Sequence, residues 1–212
     1  GFFDQDGNFT LSFFIEVFQN PIYVEGLVNA FLLAILSTAL SLFLAIPLAF
    51  VFDRFAFPGK KLLGGLIILP IMLPPFVGAI GLRQLLGQFG MVNTFLVEIG
   101  WMNANQPVDW LSGDGRFYGV AILNALSLYP ILYLNAQASL ANIDPAMEEA
   151  AENLGCRGWR KFFTITLPLM RPGLFAGGTI VFIWAFTELG TPLMFDYTRV
   201  TPVQIFNGIK DI

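Results

Sequence analysis

The sequence predicts an all-α, polytopic transmembrane helical bundle. Three observations carry this. Of 212 residues 56% are hydrophobic and only 12% charged, about half the charged share of a soluble domain, and mean hydropathy is +0.69. Four long stretches are charge-free or nearly so. Lys and Arg fall unevenly between the segments that join them.

A span needs about 20 apolar residues. Residues 26–52, 62–82 and 117–143 hold no charge, and 172–195 holds only Glu188. The first is long enough to tilt or to extend past the hydrocarbon. The second contains Pro70, Pro74 and Pro75. Each proline removes a backbone donor and crowds the preceding turn, and freed carbonyls inside a membrane must be buried or face a wet cavity. Two readings stay open: a broken helix lining a translocation path, or a kink that only shapes packing.

Orientation follows from the basic residues. Segments 53–61 and 144–171 hold seven Lys and Arg in 37 residues, whereas 1–25, 83–116 and 196–212 hold four in 76. The first pair is therefore expected on the cytoplasmic side and the others outside. Within 83–116 a short interfacial helix is expected over 92–100, with Trp101 and Trp110 at the membrane boundary. The chain opens on Gly1, and GFFDQDGNFT has neither the basic nor the apolar part of a signal peptide. A piece of a longer protein is expected.

Several functions are disfavoured. A net charge of −4 argues against nucleic acid as a partner. One cysteine, Cys156, allows no internal disulfide. Histidine is absent, which removes the commonest general base and metal ligand. No metal or cofactor site is expected. An intramembrane enzyme would have to work with Glu188, the one carboxylate inside a predicted span. That residue falls about 24 Å along a helix from Pro172, towards the outer boundary. Depth alone would account for it there. On the alternative reading it lines the outer path with Thr187 or Thr191, where a carboxylate suits a cationic solute.

The segment 144–171 is the most structured loop. Asp144 followed by Pro145 is a helix start. Glu148, Glu149 and Glu152 sit early, where the helix dipole favours negative charge, and Gly155 fits the stop. A helix is expected over 145–154. A second should begin near Gly158, with Pro168 and Pro172 marking entry to the fourth span. Ala150 and Ala151 are small enough for another backbone to approach. The whole reads as a helix–turn–helix docking element.

Here the sequence resembles the permeases of binding-protein-dependent ABC importers. Glu149, Ala150, Ala151, Gly155, Ile165, Leu167 and Pro168 reproduce the family's EAA signature without a gap, seven positions over 20 residues. The resemblance implies a type I ABC importer permease fold. It implies that these seven residues couple to a separate ATP-hydrolysing subunit, so that the chain itself is no enzyme. It implies a second permease half, identical or fused, and a periplasmic solute-binding protein as further partners. A sixth core span beyond Ile212 is also implied. The wording LPIMLPPFVGAIGL and TELGTPLMFDYTRVTPVQIF looks most like the ferric iron branch, with polyamine, thiamine, sulfate and phosphonate permeases as alternatives. A merely structural membrane protein would leave the signature unexplained.

Overall fold

The computed structural model describes Ile15 and residues 18–210. The expected outside placement of segment 1–25 therefore falls largely outside the described residues. Among the described residues the chain is helical, with no strand.

Helix α1 (Pro21–Arg54) begins at Asn20, whose side chain accepts from the Ile22 N–H at 3.0 Å, with Pro21 at the first position. It is longer than the predicted 26–52 and, at about 51 Å, exceeds an apolar core about 30 Å thick. One stripe is buried, and small residues dominate it: Gly26, Ala30, Ala34, Ser37, Ser41, Ala45 and Ala49. Small residues let helix backbones approach closely where no water drives association. The opposite face shows Phe31, Leu32, Ile35 and Phe43.

The predicted second span is broken. Helix α2 (Lys60–Ile68) tightens into a 3₁₀ turn, Leu69–Met72, then stops at Leu73 and Pro74, both extended. Helix α3 (Pro75–Leu86) follows, and the stretch Pro75–Glu98 leaves Lys60–Met72 at a bend of 102°. The three prolines account for it. Pro70 opens the 3₁₀ turn, Pro74 precedes a proline and is pushed to extended backbone, and Pro75 starts α3. The Ile67 carbonyl next to the break accepts from the Tyr129 hydroxyl at 2.9 Å.

Helix α4 (Met91–Glu98) is the expected short helix of the long loop. Asn93 pins that loop. Buried to 3% exposure, it donates to the carbonyls of Gln88 and Val108 and accepts from the Trp110 indole N–H at 2.8 Å. Trp101 is largely exposed.

Helix α5 (Gly115–Ala141) replaces the predicted 117–143. Helices α6 (Pro145–Asn153) and α7 (Gly158–Lys161) follow. A π turn, Phe162–Thr166, then runs directly into α8 (Leu167–Thr187). The expected entry at Pro168 and Pro172 is therefore corrected. Helix is continuous from Gly158 to Thr187, with Pro168 in the first turn of α8 and Pro172 inside it. In the wide turn the Leu167 N–H reaches back five residues to the Phe162 carbonyl.

The far end of this span is corrected too. It stops at Thr187, not Phe195, because Glu188 turns extended and its carboxylate accepts from the N–H groups of Gly190 and Thr191. A short α9 (Gly190–Met194) and α10 (Thr201–Lys210) complete the described chain. Helix α10 was not expected from the sequence. It packs on the start of α1, where Gln204 donates to the Ile22 carbonyl at 2.9 Å.

Helices α1, α5 and α8 pack on one another and form the core. Gly173 and Gly177 let α8 meet α5. A Cβ on Gly177 would lie 3.0 Å from Asn135 Cβ and 3.1 Å from Leu132 Cδ2. Outward-facing Phe43, Phe175 and Leu62 stay more than 70% exposed, as expected of a bundle that meets lipid.

Candidate functional site

At one end of the bundle α6 stands on the tips of the long helices. Its start is as expected: Asp144 accepts from the Ala146 N–H at 2.9 Å, with Pro145 at the first position. Its end is a Schellman turn. Gly155 N–H meets the Glu152 carbonyl at 3.0 Å, Cys156 N–H meets the Ala151 carbonyl at 2.9 Å, and Gly155 is left-handed at φ 81°.

The two faces of α6 differ. Glu148 and Ala151 point into the bundle and are buried. Met147, Glu149, Ala150 and Leu154 are exposed, Leu154 at 88%. Met147, Ala150 and Leu154, spaced i, i+3 and i+7, share one exposed side beside Glu149, while the other side rests on the bundle. The paired-alanine expectation is thereby divided: Ala150 faces out, Ala151 faces its own bundle. Ile165, Leu167 and Pro168 lie half-buried in the π turn and first turn of α8, apart from the exposed face of α6.

Sequence reasoning missed Glu148. Its Oε1 accepts from Arg54 Nη2 at the end of α1 and from the buried Thr166 hydroxyl, at 3.0 Å, in the π turn. Lys161 stands 3.9 Å from Oε2 and pairs with Glu152 at 2.6 Å. Burial, the largest single influence, pushes the Glu148 carboxyl up. The hydrogen bonds from Arg54 and Thr166 and the charges of Arg54 and Lys161 together outweigh it and hold the carboxyl below its ordinary range. The hydrogen bond and charge of Lys161 likewise lower exposed Glu152. No spacing rule marks Glu148 over Glu149; only the distant Arg54 does.

A second feature lies at the proline break. A cavity of about 110 Å³ is lined by Pro70, Pro75, Asn124, Ser127, Glu188 and Thr191, among others. Four of the six residues expected along a path are thus brought together. Pro74 and Thr187 do not line it, and the Thr187 hydroxyl instead donates to the Ile183 carbonyl at 2.9 Å. Asn124, 3% exposed, was not expected. Its Nδ2 has no partner among the described residues. Glu188 is a cap as well as a lining group.

At the opposite end from α6, a cleft of about 570 Å³ is lined by Glu25, Asn29, Asp114, Arg116, Asp196 and Arg199, among others. Arg116 donates to the Asp196 carbonyl at 3.0 Å, and Arg199 stands 3.7 Å from Glu25.

Residues 42–198 match the family described as binding-protein-dependent transport system inner membrane component. The chain belongs to this family. It is a multi-pass inner-membrane transport protein. Among its relatives is the molybdenum transport system permease protein ModB of Haemophilus influenzae, 36% identical, with 84% of this chain and 76% of that protein covered. A putative ferric transport system permease protein, FbpB 1, of the same organism is 33% identical over 87% of this chain, but the chain spans only 27% of its length. The sulfate transport system permease protein CysT of Escherichia coli is 29% identical, covering 92% of this chain and 69% of that protein. The fold is that of a solved bacterial ABC transporter involved in alginate import, with TM-score 0.76 and 20% identity over 98% of this chain and 75% of the other. The ferric branch picked out by wording is one of several at similar distance.

Proposed function

We propose that this chain is the permease subunit of an ATP-driven importer, with α6 docking on a separate ATPase subunit and the break between α2 and α3 lining the solute path. The end bearing α6 faces the cytoplasm on this reading. The opposite cleft, rich in charge, receives a solute-binding protein. A related structure is described in complex with an alginate pentasaccharide-bound periplasmic protein. A second permease half completes the path. The observation that carries the reading is α6 itself: a helix seated on the bundle through Glu148 and Ala151, with Glu149 and Leu154 exposed, within a chain of this transport family.

The solute we propose is a small inorganic ion. An oxyanion such as molybdate is favoured by the molybdenum relative of which this chain covers 76%. Ferric iron remains a second reading, because the Glu188 carboxylate lines the cavity at the break. That support is weakened by its Oε1, already taken by two backbone N–H groups.

Crosslinking tests the docking surface. In a Cys156→Ser background, single cysteines at positions 147, 149 and 154 are expected to crosslink to the ATPase, and one at buried position 151 is not. No crosslink at 149 while 147 and 154 react would remove Glu149 from the contact. Silence at every exposed position would remove the docking reading.

A further inference from the structure

We propose that the Glu148 carboxylate is a positioning group that transmits movement of α6 to α1 and α8 together. This rests on the permease reading, in which a partner displaces α6. Helix α6 has nine residues, too few to hold its shape alone in water, so its position is set by what it touches. Its inward face offers Ala151, which is only a spacer, and Glu148. One oxygen of Glu148 is shared by the guanidinium that ends α1 and the hydroxyl in the turn that opens α8. The side chains that meet there come from positions 94 and 18 residues away along the chain. Beside them Phe50 of α1 packs edge-on against Phe162 of the π turn, centroids 4.9 Å apart.

The chemistry suits a strut. Arg54 cannot give up its charge, and a carboxylate held by charge-assisted hydrogen bonds is stiffer than one held by neutral bonds. Thr166 lies in a π turn, a distortion frequent at functional sites. A push on α6 therefore reaches two of the three core helices at their ends through one side chain. The second tie, Lys161 to Glu152, runs only to the adjoining α7 and leaves α1 untouched. Glu148→Gln keeps the volume but removes the charge that gathers Arg54 and Thr166.

The test uses the assembled importer in membrane vesicles, comparing wild type, Glu148→Gln, Arg54→Gln, the double variant and Thr166→Val. Three quantities are read: ATPase subunit retained on purification, ATP hydrolysis stimulated by loaded binding protein, and uptake. The ATPase is expected to stay bound in all, because Glu149 and Leu154 are untouched. Stimulation and uptake are expected to fall at least about tenfold in Glu148→Gln, within the usual range of coupling between sites, and less in Thr166→Val. The double variant is expected to be no worse than either single one, as for two groups acting as a unit. Uptake within about twofold of wild type in both Glu148→Gln and Arg54→Gln would overturn the proposal. So would additive losses, or loss of ATPase binding, which would make Glu148 part of the docking surface. A wild type that neither holds an ATPase nor imports would remove the permease reading itself. A working wild type with unaffected variants would remove this proposal alone.

Discussion

Gly177→Leu will lower the amount of folded protein in the membrane. A Cβ at this position already lies 3.0 Å from Asn135 Cβ, 3.1 Å from Leu132 Cδ2 and 3.2 Å from Asn135 Cγ. These atoms sit on α5, a helix packed on both α1 and α8. Alanine needs them to give a few tenths of an ångström. Leucine adds three further carbons with nowhere to go, so α8 must part from α5 along the seam that also holds Gly173. Overpacking of this kind costs about 1–3 kcal/mol, and the close approach it destroys is the main source of helix association in lipid. The amount of protein in the membrane fraction and its thermal midpoint in detergent are both expected to drop, with Gly177→Ala between. Phe175→Leu, two residues away and 78% exposed, is the control and should change neither. Normal accumulation of Gly177→Leu would show that the seam is looser than its geometry indicates.

Gly155→Val acts on a different level, leaving the bundle intact and disabling the loop. No atom lies within 4 Å of a Cβ built there, so crowding is not the cause. The backbone is. At φ 81° a β-branched residue is a steric outlier, and the left-handed region costs an ordinary L-residue about 1–2 kcal/mol. Relief requires undoing the two bonds that end α6, which moves Leu154 and the last turn. Membrane level is expected to match wild type, while ATPase association falls at least several-fold. Asparagine tolerates the left-handed region, so Gly155→Asn should retain most of the association. If valine and asparagine behave alike, the turn is not what matters.

Much of this was legible in the sequence, and the rest was not for identifiable reasons. Asp144, Pro145 and Gly155 announced α6 because caps and stops are local chemistry. Pro70, Pro74 and Pro75 announced a disturbance but not its 102° angle, which depends on what α5 and α9 leave free. The end of α8 was misplaced because apolar content continues to Phe195. A carboxylate that folds back to cap the next turn leaves no mark on hydropathy. The spacing Gly173, Gly177 was readable as a close-packing pair and was passed over. Glu148 was not readable at all. Two neighbouring glutamates on one helix differ only by rotation, and the rotation is set by Arg54, 94 positions earlier.

The proposed role of this chain, the membrane path of an ATP-driven importer, can be measured. The direct measurement is uptake into proteoliposomes holding the chain with its second half and ATPase, with the solute-binding protein added outside. Labelled molybdate and ferric iron are offered separately. Accumulation of one ion, only with enclosed ATP and only with loaded binding protein, is the predicted result. Accumulation that needs neither ATP nor the binding protein, or a chain that never retains an ATPase, would contradict it.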